Sequence, residues 1–187
     1  MNALASLIVL SAAASELGPV AIPQHLESAY EQVAQRVSFP IVLPTEIPNV
    51  TDVGSGDFRI TPEGHDSEDR YAFLIDSTAG CDNGGWCPTG SFGGEMLEGA
   101  TPLIEMFGYI LTLPPDSVSS EPWQEVSLTR DIQGVFVPWE KTDQCSEARI
   151  YWEQEDYRYY VGLPCENLTN LTVFANSIIE NQPIPEE

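Results

Sequence analysis

The residues whose type and spacing most directly specify chemistry in this 187-residue chain are four cysteines, Cys81, Cys87, Cys145 and Cys165. Four thiols either hold zinc or pair as disulfides. Zinc sites usually place their paired cysteines roughly two to four residues apart, whereas five residues separate Cys81 from Cys87 and nineteen separate Cys145 from Cys165. The spacing therefore favours disulfides, and no Cys-x-x-Cys redox motif occurs. The pairing stays open from sequence alone. Within Cys81-Asp-Asn-Gly-Gly-Trp-Cys87, two glycines let a short loop close on itself. Cys145 and Cys165 flank a predicted hairpin whose open end they could clamp. Each bridge would add about 2–4 kcal/mol, and disulfides persist in oxidising compartments.

Other reactive residues give weaker signals. Acyl transfer needs a nucleophile, a base and a group that orients the base, and the only histidines, His25 and His65, read as surface residues at a helix start and in an acidic turn. Ser91 lies in Gly90-Ser-Phe-Gly-Gly94, whose glycines miss the Gly-x-Ser-x-Gly spacing of a nucleophile elbow. Neither a phosphate-cradling loop nor a His-Glu-x-x-His motif is present. With 29 acidic residues, some pair will always suggest glycoside hydrolysis, which also demands a cleft and a shifted pKa. Glu63, Asp66, Glu68 and Asp69 crowd one turn and Asp82-Asn83 sit on the glycine-rich loop, an oxygen-rich supply that suits calcium but misses EF-hand spacing. Both stretches read first as solvated turns, and no metal or cofactor is expected. Among the tryptophans, Trp86 and Trp139 are the candidates for a binding role, since exposed loop aromatics often mark interaction sites. Asn49, Asn167 and Asn170 match the glycan acceptor pattern; the last two read as helix caps.

Charge excludes more than the motifs establish. Seven basic residues against 29 acidic ones give −22, and Lys141 is the only lysine. Nucleic-acid binding needs clustered cations that are missing here. An apolar fraction of 42% is enough for a core and excludes wholesale disorder. No apolar run reaches the roughly 18–20 residues of a bilayer-spanning helix. So large an acid excess favours a soluble monomer, and saline surroundings would screen its self-repulsion. At the start, Ala3 to Ala14 is apolar and ends in three alanines, a signal-peptide pattern without the usual preceding base. Residues 1–15 thus read as a signal peptide, 16–24 as a leader, 25–181 as one α+β domain and 182–187 as a tail.

Several elements must position these residues. Leu26, Tyr30, Val33 and Val37 form an apolar stripe that predicts a helix over 25–37. Prolines on both sides confine Ile41-Val-Leu43 to extended chain, at best an edge strand. Strands are expected over 57–61, 70–75 and 91–98, while 101–120 has no clean period and reads as a short helix or a covering loop. Residues 125–130 and 135–137 flank Asp131-Ile-Gln-Gly134, a turn in which Gly134 would supply positive φ. Residues 148–161 alternate as a hairpin turning at Gln154-Glu155, which pairs Trp152 with Tyr157, Ile150 with Tyr159 and Ala148 with Val161. That register sets Tyr151 and Arg149 against Arg158 and Tyr160 on the other face, and Cys145 against Pro164. A last helix over 167–181 presents Leu168, Leu171, Phe174, Ala175, Ile178 and Ile179. The expected fold is α+β, an antiparallel sheet with an N-terminal and a C-terminal helix packed on it.

Pro40-Ile-Val-Leu-Pro-Thr-Glu-Ile-Pro48, the strand running into Cys81-Asp-Asn-Gly-Gly, Gln133-Gly-Val-Phe-Val-Pro138, Ile150-Tyr-Trp-Glu-Gln, Tyr157-Arg-Tyr-Tyr-Val-Gly162 and Ala175-Asn-Ser-Ile178 follow in that order. The series resembles a group of small exported bacterial, largely cyanobacterial, proteins of unknown function. Its tail also resembles a domain of unknown function at the extracytoplasmic ends of sporulation and anti-sigma-factor-like proteins. This resemblance covers most of residues 25–180. It implies fold and compartment and supplies no catalytic residue. The expectation is a secreted or periplasmic, disulfide-stabilised domain that binds an envelope protein or glycan without catalysis. Alternatives are a carboxylate-dependent hydrolase of cell-wall or extracellular polysaccharide, and a calcium-binding or purely structural envelope protein.

Overall fold

A computed structural model describes residues 26–48, 58–63, 67–77, 88–141 and 146–182. Seven strands form one antiparallel sheet: β1 (Phe58–Pro62), β2 (Arg70–Ser77), β3 (Pro88–Met96), β4 (Gln124–Ser127), β5 (Gln133–Val137), β6 (Glu147–Gln154) and β7 (Tyr157–Pro164). Their order across the sheet is β1-β2-β3-β7-β6-β5-β4. Two meanders are therefore joined where β3 pairs with β7. The helices are α1 (Glu27–Ala34), the five-residue α2 (Leu103–Phe107) and α3 (Leu168–Asn181). The fold is α+β.

Period-2 alternation decides which side of the sheet holds the core. Phe73, Ile75, Phe92, Phe136, Ile150, Trp152 and Val161 are all essentially inaccessible and share one cluster with Val33 of α1 and Leu171, Phe174, Ile178 and Ile179 of α3. Phe73 and Phe92 stack at 4.9 Å, and Phe174 meets Phe92 edge-on at 6.0 Å. The C-terminal helix starts where expected: Asn167 is its N-cap, its side chain accepting from the Asn170 N–H at 3.0 Å. At the other end the Arg130 guanidinium donates to the Glu180 and Gln182 carbonyls, a cation on the negative end of the helix.

Three local expectations shift. The N-terminal helix is shorter than 25–37, because Phe39 precedes Pro40 and cannot stay helical, so the chain has left the helix by Val37. Ile41-Val-Leu43 joins no ladder. Instead the Val42 N–H donates to the Tyr71 hydroxyl at 2.9 Å, and the Leu43 carbonyl accepts from Asn181 at 2.9 Å. Between β4 and β5 it is Arg130 and Asp131, at φ 55 and 59, that take the left-handed conformation. Gly134 lies within β5, where an added Cβ would sit 3.0 Å from the Tyr151 carbonyl oxygen, so its role is close approach.

The β6–β7 hairpin forms with its register moved by two residues. Trp152 pairs with Tyr159, Ile150 with Val161, Ala148 with Leu163 and Glu147 with Pro164. The turn is Glu155-Asp156, with Glu155 at φ 55, the positive value a two-residue hairpin loop needs at its first central position. A shift of two keeps every side chain on its face, so the expected core residues are the observed ones. Pro164 consequently faces Glu147 rather than Cys145, and the Cys165 N–H donates to the Ser146 carbonyl at 3.3 Å.

Candidate functional site

The sheet face opposite the core is built from three cross-strand rows. In the first, Arg70, Glu95, Arg158 and Glu153 lie side by side across β2, β3, β7 and β6, alternating in charge. Arg158 is only 6% exposed, and its guanidinium reaches Glu95 at 3.0 Å, Glu153 at 3.0 Å and the Thr101 carbonyl at 2.8 Å. The second row is Ala72, Gly93, Tyr160 and Tyr151. Gly93 is required there, since a Cβ would run into the Tyr71 carbonyl and lie 3.0 Å from the Tyr160 ring. Leu74, Ser91, Gly162 and Arg149 make the third.

Arg149 crosses between rows. It pairs with Glu147 at 2.8 Å, donates to the Tyr151 hydroxyl at 3.1 Å and lies 5.3 Å over the Tyr160 ring. Of the two expected cation–π contacts this one forms; Arg158 stands opposite Glu153 instead of Tyr151. Burial works against the Arg149 charge, yet the Tyr151 oxygen and the Glu147 carboxylate outweigh it and hold the guanidinium pKa above its ordinary value. Burial likewise pushes the Tyr151 and Tyr160 hydroxyls up, partly offset by Arg149. Ser91 is an in-strand residue donating to Glu147 at 2.8 Å, with no elbow around it.

A recess of about 250 Å³ opens among these rows, lined in part by Glu63, Arg70, Glu95, Met106, Arg149 and Tyr160. It falls below the roughly 300–1,000 Å³ of small-molecule sites.

Over the same face runs the connection from β3 to β4. Leu103, Phe107 and Ile110, spaced i, i+4, i+7, turn inward onto Val137, Tyr151 and Tyr160. Neighbouring positions turn outward, Ile104 at 57% exposed, Tyr109 at 50% and Leu111 at 58%, while Met106, 37% exposed, lies at the rim of the recess. Residues 103–112 thus form a strap that is apolar on both sides. The expected short helix or covering loop over 101–120 is present; the sequence did not show which residues face the sheet, because the outward residues hid the inward period of Leu103, Phe107 and Ile110.

The residues singled out from sequence are dispersed. Trp139 is half-buried and packs against the main core cluster, its carbonyl accepting from the Ser119 N–H at 3.0 Å. Trp86, Cys81, Cys87, Cys145, His25 and His65 lie outside the described residues, as do Asp66, Asp82 and Asn83. Cys165 is exposed just beyond β7 at φ 55. In the acidic turn Ser67 donates to the Asp69 carboxylate, which lowers the Asp69 pKa. Among the described residues no group of three or more metal-ligating side chains converges. No described helix is long and apolar enough to cross a membrane.

Compared with known proteins, the chain matches no family model, no curated protein and no solved structure.

Proposed function

We propose that this chain is a non-catalytic binding domain of the cell envelope or exterior, held by disulfides, that takes a protein partner on the outer sheet face along the strap. One observation carries the reading: four of the five exposed large hydrophobics among the described residues, Ile104, Met106, Tyr109 and Leu111, fall within eight consecutive positions. Single exposed apolar residues are ordinary, whereas a contiguous patch marks an interaction surface. The carboxylates beneath favour binding over hydrolysis, since Glu95, Glu147 and Glu153 each neutralise an arginine.

The address rests on sulfur chemistry and on the resemblance to exported proteins. Cys165 follows β7 at the open end of the hairpin, and its N–H donates to the carbonyl of Ser146, the neighbour of Cys145. A Cys145–Cys165 bridge across the open end of the β6–β7 hairpin is the pairing this register favours.

The double variant Ile104→Ser, Leu111→Ser tests the reading. Expected is loss of the proteins captured from an envelope extract, with an unchanged melting temperature because both side chains already face water. Equal capture by variant and wild type would remove the strap as the site. Turnover on a glycan panel, lost on a single Asp or Glu substitution, would instead establish the hydrolase.

A further inference from the structure

We infer that the partner presents a basic amphipathic segment to the strap; this rests on the strap being the docking face and adds the partner's chemistry. Exposed apolar residues supply half of the recognition. Charge supplies the rest. Residues 71–129 hold no lysine, arginine or histidine at all. Glu98, ahead of the strap, and Glu105, within it, are exposed, and so are Glu155 and Asp156 of the β6–β7 turn, which the Leu97 N–H reaches through the Asp156 carbonyl at 2.8 Å.

None of these four acids has an ion pair among the described residues. The nearby cations are otherwise placed. Arg158 is buried and committed to Glu95 and Glu153, and Arg149 to Glu147. Lys141 is exposed at the far end, its backbone N–H bonded to the Ser117 carbonyl, and Arg70 lies beside Glu95 in the first row and lines the recess. An acidic rim beside an apolar strip, on a body of charge −22, repels anionic surfaces and attracts a segment with lysines or arginines flanking an apolar stripe. Such a segment would seat its apolar side chains on Ile104, Met106, Tyr109 and Leu111 and its cations on Glu98, Glu105, Glu155 and Asp156.

The test titrates the full chain into two fluorescent synthetic peptides that share one apolar stripe, one with a lysine- and arginine-rich polar face and one with a glutamate-rich face. The cationic peptide is expected to bind at least about tenfold more tightly, with an affinity that falls as salt rises. Ile104→Ser with Leu111→Ser should cost at least about tenfold, and Glu98→Gln with Glu105→Gln several-fold. Equal or tighter binding of the anionic peptide overturns the partner chemistry and leaves the strap standing. Unchanged binding of the cationic peptide to the Ile104, Leu111 variant removes the strap reading itself. Preference for anionic lipid vesicles over the peptide overturns the inference as well.

Discussion

The Tyr109 hydroxyl donates to Glu140 Oε1 across 2.5 Å, tying the outward side of the strap to the chain that follows β5. At the other end the Thr101 carbonyl accepts from Arg158 at 2.8 Å. The strap is therefore pinned at both ends, and its apolar outer side is held in place without being covered. Tyr109→Phe should free the second end only. Global stability should fall by at most about 1 kcal/mol, since both partners reach water. Amide exchange over 108–112 should rise while that over β6 and β7 stays unchanged.

Arg158 has the larger structural role. Arg158→Ala removes the donor that serves Glu95, Glu153 and the Thr101 carbonyl together. Because both carboxylates remain partly exposed and can rehydrate, the loss should be about 2 kcal/mol rather than that of a fully buried pair. Arg158→Lys should recover only part of it, since a single ammonium cannot span three acceptors as the guanidinium fork does. Urea denaturation of the three proteins checks the order.

Two glycines should respond unequally to alanine. At Gly93 the new methyl would meet backbone, the Tyr71 carbonyl and the Ala72 Cα, which cannot step aside. A loss of about 3 kcal/mol is expected, with register disturbed between β2 and β3. At Gly99, φ is +84 and nothing lies within 4 Å, so the cost is conformational alone, about 1 kcal/mol. Equal losses at the two sites would contradict the close approach of Gly93 to the β2 backbone.

Alkali should unfold the protein in a defined direction. Burial holds the Tyr71, Tyr151, Tyr159 and Tyr160 hydroxyls above the ordinary value of 10.0. A tyrosine whose folded pKa is raised stays protonated longer in the fold than in the unfolded chain. Its contribution is thus complete below pH 10.0 and is lost as pH climbs through the folded values. Tyrosinate absorbance followed beside circular dichroism should show these four ionising only together with unfolding.

The hairpin illustrates what the sequence made legible. Alternation over 148–161 gave both faces correctly, yet period-2 patterning is blind to a shift of two, and the turn falls on Glu155-Asp156 with neither Gly nor Asn at the positive-φ position. Likewise Arg130 and Asp131 take left-handed conformations that composition assigned to Gly134; the reward is the capping of α3 by the Arg130 side chain, a contact 50 residues away in sequence. The β3–β7 pairing that unites the meanders is also long-range, and no local pattern announces it. Which side of the strap meets the sheet was hidden for a different reason. Its inward residues carry a helical period, but its exposed residues are apolar as well, and two apolar sides erase each other's periodicity.

Sulfur chemistry gives a further check. Peptide mapping without reduction is expected to recover Cys145 joined to Cys165, and reduction should lower stability by about 2–4 kcal/mol. Recovery of Cys165 as a free thiol would remove the oxidising address.

The most direct measurement places a photoactivatable benzophenone side chain at Leu111 on the strap or at Val173 on α3, both already exposed to solvent. Irradiation in an envelope extract should yield a discrete cross-linked adduct from position 111 and none from position 173. An adduct at position 173 alone, or equal adducts from both, would contradict the assignment of the outer sheet face as the binding surface.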